Sequence, residues 1–420
     1  MSGLKRKAPW KRFFSILGPG LVTGAADDDP SGIATYTVVG AQMGTALLWT
    51  AFITLPLMGA VQMMCARIGL ATGEGIAGAL RSKFPRWAIA CMAGALVVAN
   101  TINIGADFEG MADAAQMLSG ISGYVWIPLM AAAIVLAMVF FNYAAIVNIL
   151  KWLTLVLFAY VITAFILHPQ WGAVLRDTFI PSWPKGHDAW AGLVAILGTT
   201  ISPYLFFWQA SQEVEIKKTD GKRKWPGRRA TWREIVDRKI DVGVGAFVSN
   251  IVMYFIILSA ALTLHKSGQT HVETSRQASE ALRPLAGPLA ATLYTAGIVG
   301  VGFLAIPALA GSTAYALAET FRWRQGLNER FRRAGPFYIV IIVSILAGTL
   351  FYFLGINPVK ALFWTAVING LLAPFLLAGI LAVACDARVM RSQPSSMTGR
   401  WVVAVTVVIM FAAGIGMILV

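Results

Sequence analysis

Three consecutive carboxylates stand in the middle of an apolar stretch that runs from residue 15 to residue 40. Residues 27–29 are all aspartate, and Pro30 and Gly32 follow at once. A proline removes a backbone donor and clashes with the carbonyl four residues before it, so a helix breaks here. Unwound backbone exposes carbonyl oxygens, which need a partner where water is scarce. A cation is such a partner, and Asp29 would supply the opposite charge.

Two interpretations of these carboxylates are open. In a soluble protein they would mark a short loop between two helices, with Asp29 capping the second helix. In a bilayer each charge costs about 2.5–3.5 kcal/mol near the centre of a spanning helix, so its presence there indicates a use or a polar cavity. The apolar run has the length of a span and follows a basic segment. We therefore favour the second interpretation.

A second interrupted run lies near the middle of the chain. Residues 197–204 place small polar side chains and Pro203 inside an otherwise apolar stretch. Pro30 and Pro203 hold matching positions if the first five and the next five spans are two halves of one fold. Paired broken spans at corresponding places point to a transport site at the membrane midplane.

The elements that position these breaks are predicted by hydropathy. The chain has 420 residues, of which 57% are hydrophobic and 13% charged, whereas soluble domains carry roughly 25% charged residues. Each spanning helix needs about 20 mostly apolar residues. We predict an all-α integral membrane protein with eleven spans, at residues 15–40, 45–68, 87–106, 125–141, 147–167, 190–210, 242–264, 288–316, 337–355, 358–384 and 401–419.

The formal charge of +14 could indicate nucleic-acid binding, but the basic residues lie in short loops between apolar runs. With the N-terminus in the cytoplasm, about 28 Lys and Arg fall inside and about 6 outside, as the positive-inside rule requires. We therefore predict a multi-pass protein of the inner (plasma) membrane. Its partner is the lipid bilayer, and we expect no binding of nucleic acid. Binding of anionic lipid to the basic loops is a second interpretation of them.

Other features narrow the class further. The three cysteines fit neither a disulfide framework nor a zinc site, and no cofactor motif or activated nucleophile is visible, so we expect neither an enzyme nor a bound cofactor. The basic start resembles a signal peptide without a usual cleavage site, which indicates an uncleaved first span. We predict a cytoplasmic segment at 1–14 and one transmembrane domain at 15–420, most simply a monomer.

At these residues the chain resembles the NRAMP family of divalent metal transporters. The motifs that carry the resemblance are Asp29-Pro30-Ser31-Gly32 in place of Asp-Pro-Gly-Asn, Gly40-Ala41-Gln42-Met43-Gly44, Ala66-Arg67-Ile68-Gly69, Ser202-Pro203-Tyr204 in place of Met-Pro-His, and Pro374-Phe375. The resemblance implies a LeuT/APC-like fold with 5+5 inverted repeats, about 15–167 and 190–384, plus an eleventh helix. It also implies alternating access.

Departures from the family's motifs alter what the resemblance implies for the ligands. The family's aspartate is kept as Asp29, but its asparagine and methionine are Gly32 and Ser202. A thioether favours transition metals over Mg²⁺, and Mg²⁺ usually keeps several waters, for which smaller side chains leave room. The pattern is similar to that of NRAMP-related magnesium transporters.

The proton path implied by the resemblance is altered too. The family's histidine is Tyr204 here, and a tyrosine titrates at a pH of about 10 rather than near neutrality. The third-span acidic pair maps onto Asp107 and Gly110, with Glu109 and Asp113 off the spacing. These three acids either attract cations in a cavity wall or mark a water-exposed helix end, and the sequence does not decide between the two.

Four polar residues of the later spans carry further interpretations. Gln209 lines an exit path or is structural, and Asn369 binds a hydrated ion or a neighbouring helix. Glu213 and Glu215 are expected at a solvated cytoplasmic helix end.

The leading hypothesis is an importer of Mg²⁺ and/or Mn²⁺ that is weakly or not coupled to protons. Asp29 provides the main charge, carbonyls near Ala26 and Thr199 coordinate, and Ser202 and Thr200 bind water or ion. The remaining predicted site residues are Asp28, Gly32 and Tyr204. A proton-coupled Mn²⁺/Fe²⁺ importer is the first alternative, and a sensor or scaffold that does not transport is the second.

Overall fold

The computed structural model of the chain describes residues 18–140, 153–182, 186–219 and 230–420. These residues are almost entirely helical, and nine of their helices are long and apolar enough to cross a membrane. A shorter apolar helix supplies span 5, and a broken helix supplies span 1. The spans are 1a Pro19–Asp27, 1b Pro30–Met43, 2 Trp49–Thr72, 3 Arg86–Ser119, 4 Gly123–Phe140, 5 Phe158–Ile166, 6a His187–Thr200, 6b Pro203–Thr219, 7 Trp232–Ala260, 8 Ala290–Phe321, 9 Gly335–Leu350, 10 Pro358–Cys385 and 11 Met397–Leu419.

Each of the eleven predicted spans contains one of these helices, so the predicted all-α membrane fold is confirmed. Both predicted breaks are present, between Asp27 and Pro30 and between Thr200 and Pro203. The third span continues beyond residue 106, through Asp107 to Ser119, and ends on Gly120, whose φ of 70° suits a glycine cap. The predicted segment 1–14 and residues 147–152 of the fifth span lie outside the described residues.

Spans 6 and 7 extend beyond their predicted ends. Span 6b continues to Thr219 and span 7 starts at Trp232, because polar groups at both ends find partners. Thr231 and Glu234 form a reciprocal capping box at the start of span 7. Lys217 of span 6b forms an ion pair with Glu234. Hydropathy alone ends span 6 too early and starts span 7 too late, because it counts these charged turns as loop.

Span 6 lies at the centre of the bundle. In its most apolar 18 residues 94% are buried, against 33% in spans 4, 9 and 11. The exposed faces of these three spans are therefore available to lipid. Glycines bring the broken spans against unbroken ones: a Cβ on Gly24 would lie 2.4 Å from the carbonyl oxygen of Gly245 in span 7, and one on Gly198 would lie 2.0 Å from that of Ala366 in span 10. Backbone packing of this kind fixes where each break sits.

Candidate cation site at the two helix breaks

The break in span 1 is formed by Asp28 and Asp29, which join the two half-helices. Asp29 is the N-cap of span 1b, and its Oδ1 accepts hydrogen bonds from the backbone N–H of Gly32 at 2.7 Å and from the Ser31 hydroxyl at 2.6 Å. The capping role weighed for Asp29 is therefore present. Asp29 is nevertheless only 1% exposed and lies inside a bundle of apolar helices. One carboxylate oxygen organises the break, and the other is free for a different role.

The second oxygen of Asp29 faces spans 3 and 6b. Its Oδ2 lies 3.3 Å from the Asn103 amide nitrogen and 3.5 Å from the Tyr204 hydroxyl. The Tyr204 hydroxyl itself donates to the carbonyl oxygen of Ala26 at 2.6 Å. The partners of Asp29 within the described ranges are thus neutral, and no Lys, Arg or His there offsets its charge. A buried carboxylate without a counter-ion has a strong attraction for a cation.

The break in span 6 presents hydroxyl and carbonyl oxygens. The Ser202 hydroxyl donates to the carbonyls of Gly198 at 2.8 Å and Thr199 at 2.7 Å, and the Thr200 hydroxyl donates to that of Ile196. Each hydroxyl keeps lone pairs that can still accept or ligate. The predicted ligands of this break are therefore turned onto their own backbone, with lone pairs left over.

The two breaks adjoin each other. A Cβ on Gly32 would lie 3.0 Å from the Thr199 hydroxyl and 3.5 Å from Asp29 Oδ1. All eight residues predicted for the site are buried, and none is more than 3% exposed where it carries a polar side chain. Because Gly32 has no side chain, the space between the Asp29 carboxylate of one break and the Thr199 hydroxyl of the other stays open.

Spans 3 and 10 complete the site through two asparagines. The Asn103 amide nitrogen lies 3.3 Å from both Asp29 Oδ2 and Asp107 Oδ2, and the Asn369 amide donates to Asn103 Oδ1 at 3.1 Å. Asp107 and Glu109 are buried, at 0% and 1% exposure, so the interpretation as a water-exposed helix end is wrong for both. Asp107 joins the site.

Asp113 lies two turns further along span 3 and is partly exposed. Its carboxylate accepts the backbone N–H of Ser275 at 3.0 Å, in the connection between spans 7 and 8. Asp113 therefore has a structural partner away from the breaks. For Asp113, the position at a water-exposed helix end is therefore the better of the two interpretations.

Asp27 and Asp28 are held from span 7. The Ser249 hydroxyl lies 2.7 Å from Asp27 Oδ2 and 3.2 Å from Asp28 Oδ1. Two further carboxylates therefore lie immediately before Asp29 in the chain, and the neutral Ser249 hydroxyl is within hydrogen-bond distance of both. When ionised they would add negative potential to the same region, since carboxylates at this depth are screened little by salt.

Several buried oxygens around the breaks have no hydrogen-bond partner, and an unpaired buried polar atom costs about 1–3 kcal/mol. These atoms are Asp27 Oδ1, Asp107 Oδ1, Thr199 Oγ1 and Asn369 Oδ1. In the described ranges, no three His, Cys, Asp or Glu side chains are grouped so that they alone could hold a metal ion. The arrangement therefore suits a cation that is held by one carboxylate, neutral oxygens and water.

A polar network closes the bundle on the side where span 1 begins. Asp241 of span 7 accepts the backbone N–H groups of Gly18 at 2.7 Å and Gly20 at 2.8 Å, and it pairs with Arg238 at 2.9 Å. Carboxylates favour the positive N-terminal end of a helix. Asp241 thus caps span 1a and links it to span 7. The sequence alone does not predict this contact, and the only local signal for it is the i,i+3 spacing of Arg238 and Asp241.

The same network corrects the prediction for Glu213 and Glu215. Both are buried, at 2% and 5% exposure, rather than solvated. Glu213 lies 3.7 Å from Arg238, and Gln209 connects it to the Thr23 hydroxyl of span 1a through contacts of 3.1 and 2.6 Å. Gln209 therefore stands between the breaks and this end of the bundle.

The opposite end is closed by contacts around the start of span 2. The Thr45 hydroxyl donates to Asp177, which lies in the helix Trp171–Phe179. The ring Nδ1 of His265 lies 2.8 Å from the carbonyl oxygen of Ala41. The breaks are therefore shielded from solvent on both sides, with different chemistry at the two ends.

Comparison with known proteins agrees with this architecture. The sequence model of the Nramp family, described as natural resistance-associated macrophage protein-like, matches residues 20–420. The divalent metal cation transporter MntH of Chromohalobacter salexigens is 25% identical over 97% of this chain and 92% of its own length. MntH of Caldanaerobacter subterraneus subsp. tengcongensis is 28% identical over 91% and 87%.

Solved structures of low sequence identity share the fold. A manganese transporter from Eremococcus coleocola superposes with a TM-score of 0.71 at 18% identity, covering 99% of this chain and 88% of that one. The nucleobase–cation symporter Mhp1 gives 0.56 at 15% identity, covering 96% and 90%. The family match spans nearly the whole chain, and both motif-bearing breaks fall within it. The chain is therefore a multi-pass membrane protein that belongs to the Nramp family.

Proposed function

We propose that this protein transports a divalent metal ion across the membrane, with Mg²⁺ and Mn²⁺ as its substrates. The observation that carries the proposal is Asp29: a buried carboxylate with neutral partners, placed where two helices are broken and several oxygens lack partners. A divalent cation would neutralise that charge and occupy those oxygens. The relatives named as divalent metal cation transporters support the same substrate class.

Ligand chemistry supports the choice of ions within that class. Asp29 would bind the ion through Oδ2, while the Ala26 and Thr199 carbonyls contribute their second lone pairs. Ser202, Thr200 and Asp28 would contact the ion or its water, and Gly32 and Tyr204 would shape the space. The donors are all oxygens, which suit hard cations such as Mg²⁺ and Mn²⁺. Mg²⁺ keeps several waters, for which the neutral hydroxyls are suitable partners. The chain would then be a functional counterpart of the magnesium-transporting branch.

Proton coupling is proposed to be weak or absent, because Tyr204 replaces the family's histidine and does not titrate near neutral pH. One observation favours a second candidate, a proton-coupled Mn²⁺/Fe²⁺ importer. Asp107 is buried and linked to Asp29 through Asn103, so the two acids could exchange a proton as the ion moves. A sensor or scaffold that binds ions without moving them is the third candidate.

Alternating access would work by opening one end at a time. At the proposed cytoplasmic end, span 1a must leave Asp241 and Gln209 for the ion to escape. At the outer end, the Thr45–Asp177 contact must part. We place the N-terminus in the cytoplasm, and we propose a monomer with repeats at about 15–167 and 190–384 in one domain at 15–420.

The test is ion flux into proteoliposomes that contain the full-length protein. Vesicles with a Mg²⁺- or Mn²⁺-sensitive dye and a pH dye are exposed to each ion in turn. We expect entry of both ions without acidification of the lumen. Acidification that depends on Mn²⁺ would favour the proton-coupled candidate, and ion binding without flux under any gradient would favour the sensor. Asp29→Ala must abolish flux, while Asp188→Ala, a matched change at an exposed carboxylate, must not.

A further inference from the structure

A basic groove lies between the start of span 3 and the end of span 8, apart from the cation site. It has a volume of about 500 Å³ and is lined by Arg81, Arg86, Trp87, Thr320, Phe321 and Arg322, among others. Arg86 is the first residue of span 3, and Phe321 is the last of span 8. Apolar helices start and stop here, so the groove opens at the boundary between membrane and water. It is on the side of the bundle that carries the basic loops.

None of the three guanidinium groups of this groove forms an ion pair within the described residues. Arg81 donates to the backbone carbonyl of Glu319 at 2.9 Å, which orients it without neutralising it. Arg86 and Arg322 are exposed and form no ion pair with any residue in the ranges that the structure describes. Among the described residues, the lining of the groove contains no acidic side chain. Three cationic forks around one concave space favour an anion with several oxygens, such as a phosphodiester.

A neighbouring cavity differs from the groove, because acidic side chains are among the residues that line it. That cavity also contains Arg81 and Arg322, but Glu74, Glu319 and Glu329 line it as well. There Arg324 is paired with Glu329 at 3.0 Å. Arg81 and Arg322 thus face acids on the side of the neighbouring cavity, whereas Arg86 lines only the groove, where the described lining residues carry no acid.

Two exposed aromatic side chains indicate what kind of anion binds. Trp87 is 72% exposed and Phe321 is 55% exposed, and both flank the arginines. Aromatic rings at this depth rest among lipid headgroups and the first acyl carbons. A free phosphate would use the arginines and leave the rings without a partner, whereas a phospholipid would contact both.

Two basic segments of this chain lie outside the described ranges, and their charge does not complement the groove. Residues 1–17 carry five Lys or Arg and no acid, as Lys5, Arg6, Lys7, Lys11 and Arg12, and residues 220–229 carry five more beside the single Asp220. Both segments would be repelled by three arginines. We infer that the groove binds the headgroup of an anionic phospholipid, with the phosphate between Arg81, Arg86 and Arg322 and an acyl chain against Trp87 and Phe321.

The test uses the full-length protein in a neutral detergent, and it does not depend on transport. Phosphatidylglycerol or phosphatidylcholine is titrated in, while thermal stability and retained lipid, counted by native mass spectrometry, are followed. We expect phosphatidylglycerol to bind and to raise Tm at lower concentrations than phosphatidylcholine. The double change R86Q/R322Q should weaken the phosphatidylglycerol response about 30-fold, as expected for two basic groups at an anionic surface.

Three controls make the result decisive. R332Q/R333Q removes the same charge from exposed positions of the following loop and should leave the response unchanged. Inorganic phosphate, the headgroup anion without an acyl chain, should not raise Tm at matched concentration. Equal binding of the two lipids, an equal loss in R332Q/R333Q, or an equal effect of inorganic phosphate would each overturn the inference. Unchanged Tm of the variants in phosphatidylcholine shows that they remain folded.

Discussion

The two helix breaks have the same architecture and opposite chemistry. The break in span 1 carries three aspartates, of which Asp29 organises the turn and also faces the other break. The break in span 6 carries Thr199, Thr200 and Ser202, and their hydroxyls are neutral. The first half of the fold thus supplies the negative charge of the site, and the second half supplies neutral hydroxyl groups and shapes the space around the ion. A site divided in this way can bind a doubly charged ion with one strong contact and several weak ones, and weak contacts allow release.

The largest expected effect comes from removing the charge of the first break while keeping its turn. Asn also caps helices well, so Asp29→Asn should retain the hydrogen bonds to Ser31 and Gly32. The lost charge should lower Mg²⁺ and Mn²⁺ flux by about 100-fold or more, the size expected for a charge–charge contact at low effective dielectric. Flux into proteoliposomes measures it, with the exposed Asp188→Asn as the matched control. Flux within threefold of wild type would remove Asp29 from the centre of the comparison.

The second expected effect concerns what the breaks share, namely close backbone packing. A Cβ at position 198 would lie 2.0 Å from the carbonyl oxygen of Ala366, so Gly198→Ala must push span 6a away from span 10. Overpacking of this kind costs about 1–3 kcal/mol, and we expect Tm to fall by several degrees with weaker flux. Gly243→Ala meets nothing within 4 Å and should melt like wild type. Equal Tm for both variants would show that span 6a has room to shift.

How far the sequence predicts this site follows from the same two breaks. Pro30 and Pro203 act locally, through a missing donor and a steric clash, so both breaks are predictable without a fold. The pairing of Asp241 with the start of span 1a is not, because more than 220 residues separate them. For Asn369 the sequence leaves two interpretations open, since its contact with Asn103 depends on spans 3 and 10 meeting.

Burial of Glu213 escaped prediction for a related reason. Sequence patterns place an acid near basic residues at a span's end in water, which is the usual outcome. Here span 7 starts ten residues earlier than hydropathy suggests, and this first part of the helix brings Arg238 and Asp241 alongside span 6b. Contacts between helix ends thus depend on the lengths of the helices, which hydropathy underestimates where the terminal turns are charged.

A third prediction sharpens the contrast by changing the chemistry of the second break. Ser202→Met replaces a hydroxyl by a thioether, a soft ligand that favours transition metals over Mg²⁺. We expect Mg²⁺ flux to fall and Cd²⁺ flux to rise, which shifts their ratio by about tenfold. Ser202→Ala separates loss of the hydroxyl from gain of sulfur: it should lower Mg²⁺ flux without raising Cd²⁺ flux. If the methionine and alanine variants have the same ion ratio, position 202 does not contact the ion.

The smallest effect is expected where the second break supports the first without touching its charge. The Tyr204 hydroxyl donates to the Ala26 carbonyl at 2.6 Å and lies 3.5 Å from Asp29. Tyr204→Phe removes that donor and leaves the carbonyl with both lone pairs for the ion. The net contribution of one neutral hydrogen bond is about 0.5–1.5 kcal/mol, so Mn²⁺ flux should change by less than about tenfold, with the stability of the fold nearly kept. Tyr124→Phe, at an exposed ring, is the matched control. A loss as deep as that of Asp29→Asn would mean that the neutral break carries as much of the binding as the charged one, because a hydroxyl would then be worth a full carboxylate.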